Sequence, residues 1–460
     1  MNKNNIGKGK NMSIKCAFIS LGCPKNQVDS EVMLAKLNSA GIEIVPEDID
    51  ADVIVINTCA FIESAKKEAI ETILDVQWLR ENRNLRGIVV CGCLAQRYKE
   101  ELFEEMPEVD AIIGVGDLEH IVEAVQAAYK NGGKKEEPKY CCVTQPENQL
   151  LGGDRVVTGP EHTVYLKISE GCDNHCTYCI IPKLRGKFRS RPVGDLVKEA
   201  NELADLGAKE LVVVSQDTTS YGKDLYGKPS LEVLLNELCK IEKLKWIRIL
   251  YCYPEEITES LAKTIADQPK IVKYIDLPIQ HISDKVLKLM GRRGDGKLIR
   301  EKVKLLRDNI PGLTLRSTVI VGFPGEGKPE YAELAEFLKE VKFERLGVFT
   351  FSCEEGTPAE KIKEGIVPDK TKEKRLDTLM RNQYEIHLAN NKKSLGKTIE
   401  VLCEGYDRPS GVYYGRSKAD APEIDGKVYF SSSRKLSDGE FVNVKVTEII
   451  DYDLLGEAVL

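Results

Sequence analysis

Residues 168–191 read ISEGCDNHCTYCIIPKLRGKFRSR, and within them Cys172, Cys176 and Cys179 form a Cys-x3-Cys-x2-Cys triplet with an aromatic residue, Tyr178, just before the last cysteine. Three thiolates so close in sequence can hold three irons of a 4Fe–4S cube and leave the fourth iron open. An open iron can bind and reduce a substrate, whereas a cluster closed by four cysteines only passes electrons. Two other readings compete: a zinc site completed by His175, and unrelated structural cysteines. Zinc usually takes two separated ligand pairs, and no second pair lies nearby, which favours the cluster. The apolar run TVYLKIS (163–169) leads directly into the motif, so the cysteine loop opens at the carboxyl end of a strand.

Outward from this loop, strand and helix alternate. Further apolar strands stand at LVVVS (211–215), WIRILYC (246–252), KYIDLPI (273–279), LTLRSTVIVG (313–322) and RLGVFTF (345–351). Helical stretches such as DLVKEANELADLG, SLEVLLNELCKI and EYAELAEFLKEV separate them. Six strands with right-handed helical crossovers make an open, partial (βα)6 barrel, with a lateral opening for a macromolecular substrate. The cysteine loop then lies on the carboxyl-end face, where barrel enzymes place their chemistry. Polar or Gly-rich loops follow other strands on that face: SQDTTSYG with Ser215, Gln216 and Asp217, LPIQH with Gln280 and His281, VGFPGE with Glu326, and FSCEEGTPA. Each is also an ordinary cap or turn sequence. Cys239 on a helix and Cys252 at the end of a strand read as core.

Upstream, KCAFISLGCPKNQVDSE (15–31), ADVIVINTCAFIESAKKEAIETIL (51–74) and LRGIVVCGCLAQRY (85–98) repeat one plan: apolar strand, turn with cysteine, helix. Continuous apolar strands in βα units predict a parallel sheet. Sites in such sheets form beyond the carboxyl ends of the strands. Cys23, Cys59 and Cys93 occupy three such ends, so they are placed to converge on a second three-thiolate site, although a lone cysteine at a strand end is most often buried filler. Cys91 is assigned to the packed end of its strand and Cys16 to the core. Residues 132–157, rich in Gly, Lys, Glu and Pro, read as a surface linker, and the adjacent Cys141 and Cys142 within it as non-ligands.

Past a charged helical stretch, TKEKRLDTLMRNQYEIHLANNKKSLG, the short alternating strands KTIEVLCEG, GVYYGRS, KVYFSS and FVNVKVTEII predict a small antiparallel barrel. From Gly396 on, this module holds 8 basic and 12 acidic residues, a net of −4. Its run DAPEIDG, with Asp420, Glu423 and Asp425, reads either as a solvated turn or as a docking surface for a basic protein. The whole chain of 460 residues carries a net charge of −7, which argues against affinity resting mainly on phosphate contacts. Its fourteen cysteines suit metal ligands and buried bystanders in a reducing compartment better than disulfides. No apolar run approaches a membrane span and the start, MNKNNIGKGKN, lacks a secretory signal, so the expectation is a cytoplasmic protein with no membrane partner. The expected organisation is a disordered tail over 1–13, an amino-terminal parallel α/β domain over 14–131, the linker over 132–157, the barrel over 158–390 and the small β-barrel over 391–460.

The cysteine loop resembles that of the radical S-adenosylmethionine superfamily. LGCPKNQVDSE, NTCAFI and GCLAQRY are similar to the amino-terminal domain of its methylthiotransferases, and the end module resembles the TRAM domain. Gly22-Cys23-Pro24-Lys25-Asn26 and GRSKADAPEIDG resemble the branch of that family that modifies an aspartate of ribosomal protein S-twelve. The branch acting on tRNA adenosines typically shows Gly-Cys-Gln-Met-Asn at the first cysteine and lacks the acidic run. The resemblance covers nearly the whole chain, with two departures: Gly327 stands where the family often has Thr, and Cys353 where a polar residue is common.

The resemblance implies two 4Fe–4S clusters, one on Cys23, Cys59 and Cys93 and one on Cys172, Cys176 and Cys179. S-adenosylmethionine would be both radical source and methyl donor, in a pocket including Tyr178, Gln216, Gln280 and Glu326. It implies that a 5′-deoxyadenosyl radical takes the β-hydrogen of the aspartate, whose C–H bond is too strong for ordinary base chemistry, and that the carbon radical captures a methylthio group. Such chemistry needs a dry, well-aligned site. The implied partners are ribosomal protein S-twelve or the small ribosomal subunit, an external one-electron reductant and a sulfur source, with direct RNA binding not the main affinity. Two alternatives are a tRNA adenosine methylthiotransferase and a non-catalytic two-cluster electron carrier. The latter needs closed four-ligand clusters, and each triplet here has three cysteines.

Overall fold

In the first two sheets the apolar runs become parallel strands, and the computed structural model describes residues 13–46, 50–132 and 139–459. The expected tail lies outside the described residues except for Ser13, as does 133–138 of the expected linker. The chain divides into two units: one runs to Val156 and includes Lys183–Arg185, and the other takes Val157–Pro182 and everything from Gly186 on.

The amino-terminal unit is built on β1 (Lys15–Ser20), β2 (Glu43–Ile44), β3 (Val53–Thr58), β4 (Gly87–Gly92), β5 (Ala111–Ile113) and β6 (Tyr140–Cys142). They form one sheet in the order β2-β1-β3-β4-β5-β6, and every pair is parallel. β3 and β4 are buried at every residue, as strands covered on both faces must be. The three strands leading to the candidate cysteines are therefore neighbours. Ser20 pairs with Asn57, and Asn57 with Cys91, so their carboxyl ends lie in step. Cys16 and Cys91 are fully buried in the apolar core beside Met33, Val55 and Ile113. The stretch expected to be only a linker contributes the edge strand β6, which carries Cys141 and Cys142.

The second unit continues with β7 (Thr163–Lys167), then β8 (Ser169–Glu170) and β9 (Arg189–Ser190), which pair with each other on either side of the cysteine loop. β10 (Glu210–Val214), β11 (Trp246–Ile249), β12 (Ile271–Asp276), β13 (Thr314–Val321) and β14 (Arg345–Thr350) complete a six-stranded parallel sheet in the order β14-β13-β12-β11-β10-β7. Val164, Leu166, Leu211, Val213, Ile247 and Ile249 turn one way and pack with the helices in the largest core of the unit. Strand alternation sends Tyr165, Glu210, Arg248, Tyr274 and Arg316 to the opposite face. The closing module is a barrel of β15 (Thr398–Asp407), β16 (Val412–Ser417), β17 (Val428–Ser431), β18 (Phe441–Ile450) and β19 (Asp453–Val459). Its pairs are antiparallel except β17 with β19.

The acidic run of this module is neither the solvated turn nor the free docking surface that its sequence allows. Asp420 accepts hydrogen bonds from Arg345 at 2.6 Å and from Ser417 Oγ at 2.6 Å. Asp425 accepts from the Tyr274 hydroxyl at 2.6 Å and from the Ala421 amide at 2.9 Å. Arg345 and Tyr274 belong to the parallel sheet, so both carboxylates close a junction inside the unit; only Glu423 of the three is exposed. The physical reason is that a buried guanidinium needs a counter-charge, and this loop supplies it. A second buried cluster joins the same parts: Glu210 accepts from Arg248 Nε at 2.7 Å and from Arg416 Nη2 at 2.6 Å. Beside it, Trp246 meets Phe441 edge-on with ring centroids 4.8 Å apart. No helix among the described residues is long and apolar enough to cross a membrane.

Candidate metal centres

In the amino-terminal unit Cys23 is the N-cap of the helix Pro24–Ser39, Cys59 directly follows β3, and Cys93 opens the helix Cys93–Tyr98. Two glycines let these turns close. Gly22 has φ +95°, and a Cβ there would stand 2.7 Å from Cys59 Cβ. Gly92 has φ +87°, and a Cβ there would stand 2.3 Å from Asn57 Oδ1. The helix that follows Cys23 ties the strand ends together. Asn26 donates to the carbonyls of Leu21 and Thr58 at 3.1 and 3.0 Å, and Asn57 donates to the Asn26 carbonyl and to Ser30 Oγ, both at 2.9 Å. Thr58 Oγ1 donates to the Cys91 carbonyl at 2.6 Å and accepts from the Leu94 amide at 3.2 Å.

Cys23, Cys59 and Cys93 are near enough to act on one another electrostatically. Burial pushes the Cys59 thiol up to about 12, with Cys93 and Cys23 adding to the rise. Burial likewise pushes Cys93 up, against the pull of Arg185. Cys91 is fully buried in the apolar core and raised well above the ordinary thiol range by that burial. Asn26, Asp29 and Arg185 were not singled out by sequence. The i, i+3, i+4 spacing of Asn26, Asp29 and Ser30 on one helix face was the available signal.

In the second unit the cysteine loop starts after β8 at Gly171, whose φ is +78° and where a Cβ would meet the Lys187 carbonyl oxygen at 2.1 Å. The Cys172 amide donates to Gly186 O at 3.1 Å, the Thr177 amide to Met290 O at 2.9 Å and the Cys179 amide to Cys176 O at 3.1 Å. Asn174 donates to Cys172 Sγ at 3.4 Å and to Asp217 Oδ2 at 2.8 Å, so the loop after β10 steadies this cysteine. Arg292 Nη1 stands 4.0 Å from Cys176 Sγ, and its guanidinium lies over the Tyr253 ring, 4.5 Å from the centroid. Burial pushes the Cys172 thiol up to about 11 and raises Cys179 further, with Cys176 and Cys172 contributing. Neither Asn174 nor Arg292 announced itself in the sequence.

The four expected pocket residues lie on or beside these loops. Tyr178 packs edge-on to Phe323 at 6.5 Å, next to Met290, Phe351 and Ala359. Gln216 donates to Glu170 and leaves its own Oε1 without a partner. Gln280 takes φ +68° and bridges to Val319. Glu326 is buried and bonded to the Gly322 amide and Arg375, with its Oε1 3.7 Å from His281 Nε2. Its carboxylate braces the loop after β13.

Each unit thus collects three buried or half-buried cysteines at strand ends. His175 is exposed. Among the described residues no three His, Cys, Asp or Glu side chains close on a single ion. Three cysteines per triplet, with His175 turned to solvent instead of in towards the cysteine loop, suit a three-cysteine cluster better than a four-ligand structural zinc site.

Residues 15–114 match the family model described as Uncharacterized protein family UPF0004, residues 166–338 the Radical SAM superfamily, and residues 395–459 the TRAM domain. Among solved structures, the radical S-adenosylmethionine methyltransferase TsrM from Kitasatospora setae, with cobalamin and a [4Fe-4S] cluster bound, has a TM-score of 0.56 and 14% identity over 76% of this chain and 77% of its own. The cobalamin-dependent radical enzyme OxsB has a TM-score of 0.52 and 13% identity over 82% of this chain and 58% of its own. At such identities the likeness concerns fold alone. The parallel sheet, its cysteine loop and the superfamily match define a radical S-adenosylmethionine enzyme.

Relatives in sequence are more specific. The ribosomal protein uS12 methylthiotransferase RimO of Acetivibrio thermocellus is 48% identical over 450 residues, 97% of this chain and 99% of that one. The protein of the same name from Pelotomaculum thermopropionicum is 48% identical over 452 residues, 98% of this chain and 100% of that one. The chain belongs to the RimO family of radical S-adenosylmethionine methylthiotransferases.

Proposed function

We propose that this enzyme methylthiolates the β-carbon of an aspartate in ribosomal protein uS12, in the cytoplasm, with two 4Fe–4S clusters and S-adenosylmethionine. The observation that carries the reading is the pair of cysteine triplets, Cys23, Cys59 and Cys93 in one unit and Cys172, Cys176 and Cys179 in the other, each gathered at strand carboxyl ends. Near full-length identity to proteins named for uS12 supports the substrate.

When bound, S-adenosylmethionine and the clusters supply radical chemistry and the methylthio group. An external one-electron reductant and a sulfur source are then required. The chain's own residues bind and orient. Asn174 and Asp217 hold Cys172, the apolar set around Tyr178 and Phe323 shields one side of the loop from water, and Gln216 Oε1 offers a free acceptor beside Glu170. Glu326 and Arg375 keep the loop after β13 in place.

The test is an anaerobic reaction of the reconstituted enzyme with S-adenosylmethionine, sulfide and reductant, offered separately a peptide carrying the uS12 aspartate loop, the whole small subunit, and unmodified tRNA. Mass spectrometry reads all three. A methylthio gain on the peptide or subunit supports the proposal, and a gain on tRNA alone overturns the substrate while leaving the chemistry standing.

A further inference from the structure

Arg185 follows the second cysteine triplet in sequence, yet it is one of the three residues, Lys183–Arg185, that belong to the amino-terminal unit. It is 2% exposed, one of the largest fully enclosed side chains in the protein. Its guanidinium donates to Asp29 Oδ2 at 2.6 Å and to Asn26 Oδ1. It also hydrogen-bonds Cys93 and acts electrostatically on Cys59. Asp29 in turn accepts from Gln149 Nε2 at 3.1 Å, so the ion pair is anchored on both sides. A buried cation facing thiols is costly to keep unless it has a task there, since folding stability alone is served as well by apolar packing.

We infer that Arg185 is a positioning residue that sets the reduction potential of the amino-terminal cluster, donating to the Cys93 sulfur while Asp29 limits its charge. The inference rests on the two-cluster reading above. Hydrogen bonds to cluster sulfurs and nearby net charge are the protein's levers on a cluster's potential. One-electron reduction adds a negative charge to the cluster, so the guanidinium favours the reduced form and the Asp29 carboxylate opposes it. Removing one and removing the other therefore shift the potential in opposite directions, although both break the same ion pair.

The experiment uses the full chain carrying Cys172→Ala, Cys176→Ala and Cys179→Ala, which leaves only the amino-terminal ligands. Into this background go Arg185→Met, Arg185→Lys and Asp29→Asn. Iron is counted after anaerobic reconstitution, and the midpoint potential is read by dithionite titration with mediators, following the paramagnetic resonance of the reduced cluster. The background should hold about four irons per chain. Arg185→Met should move the midpoint to more negative potential, Arg185→Lys should move it the same way by less, and Asp29→Asn should move it to more positive potential.

A merely structural role shifts Arg185→Met and Asp29→Asn alike, so same-direction shifts, or no shift, overturn this inference alone. A background that takes up no iron overturns the two-cluster reading and this inference with it. Should Arg185→Met fail to retain a cluster, the opposed shifts of Arg185→Lys and Asp29→Asn still decide the matter.

Discussion

Glu210 offers a direct measure of what seats the closing barrel on the parallel sheet. Its side chain is fully buried between Arg248 and Arg416, one from each part. Burial alone would raise its pKa, but the two guanidiniums outweigh it and hold the group near 2, against an ordinary 4.5. A depression of that size corresponds to about 3 kcal/mol of stability. Because the folded value lies below the unfolded one, this contribution is fully present above pH 4.5 and drains away as the pH falls towards 2.

Glu210→Gln should therefore cost about 3–5 kcal/mol at neutral pH, since it also leaves Arg248 buried without its carboxylate. Arg416 keeps a second acid, Glu404, at 2.6 Å, which holds the cost towards the lower end. The assay is urea unfolding followed by Trp246, the buried indole against Phe441, in a Trp78→Phe background that removes the exposed second tryptophan. A Glu210→Gln protein within about 0.5 kcal/mol of its parent, with the same loss of stability between about pH 5 and about pH 3, would refute the reasoning. Replacing Glu210, Arg248 and Arg416 together by apolar residues should recover most of the loss.

Three further outcomes are expected. Gly22→Ala, at φ +95° and against Cys59 Cβ, should cost about 1–3 kcal/mol and reduce iron in the reconstituted full chain to about half, measured by iron assay against protein. Cys93→Ala should lose the same share of iron, whereas Cys91→Ala, a change within the core, should keep all of it and lose about 1 kcal/mol in a thermal melt. Asp425→Asn should lower stability by about 1–3 kcal/mol and leave the affinity for a uS12 peptide unchanged by calorimetry, because its carboxylate is already bonded to Tyr274.

Four of the strands legible in the sequence, β1, β3, β4 and β10, carry four consecutive apolar residues. β3 and β4 need cover on both faces, and only long apolar runs satisfy that, so they stand out. β2 with two residues and β5 with three give no periodicity to read. β6, YCC, is an edge strand that is exposed or half-buried along its length, and it lies in a stretch whose composition signals a linker. β19, DLLGEAV, buries only Leu454 and Gly456 and is specified by pairing with β17 and β18 rather than by its own pattern. The two cysteine triplets were legible because ligand spacing and strand ends are local features. The groups that hold them were not: Arg185 and Asp29 are 156 positions apart.

The same argument explains why charge misled about the end module. A tally along the chain counts acids but not their partners. Asp420 meets Arg345 from 75 positions away, and Glu210 meets Arg416 from 206. Glu400 is likewise bonded to Lys245 of the parallel-sheet part at 2.6 Å. With Asp420 and Asp425 engaged at a buried junction and Glu400 paired at the half-exposed rim, part of the module's acid is matched inside the unit and is not free for a basic partner. Local acidity in a sequence therefore reports the charge a segment must bring to its neighbours inside the fold. It becomes a statement about binding partners only for residues such as Glu423, which the packing leaves exposed.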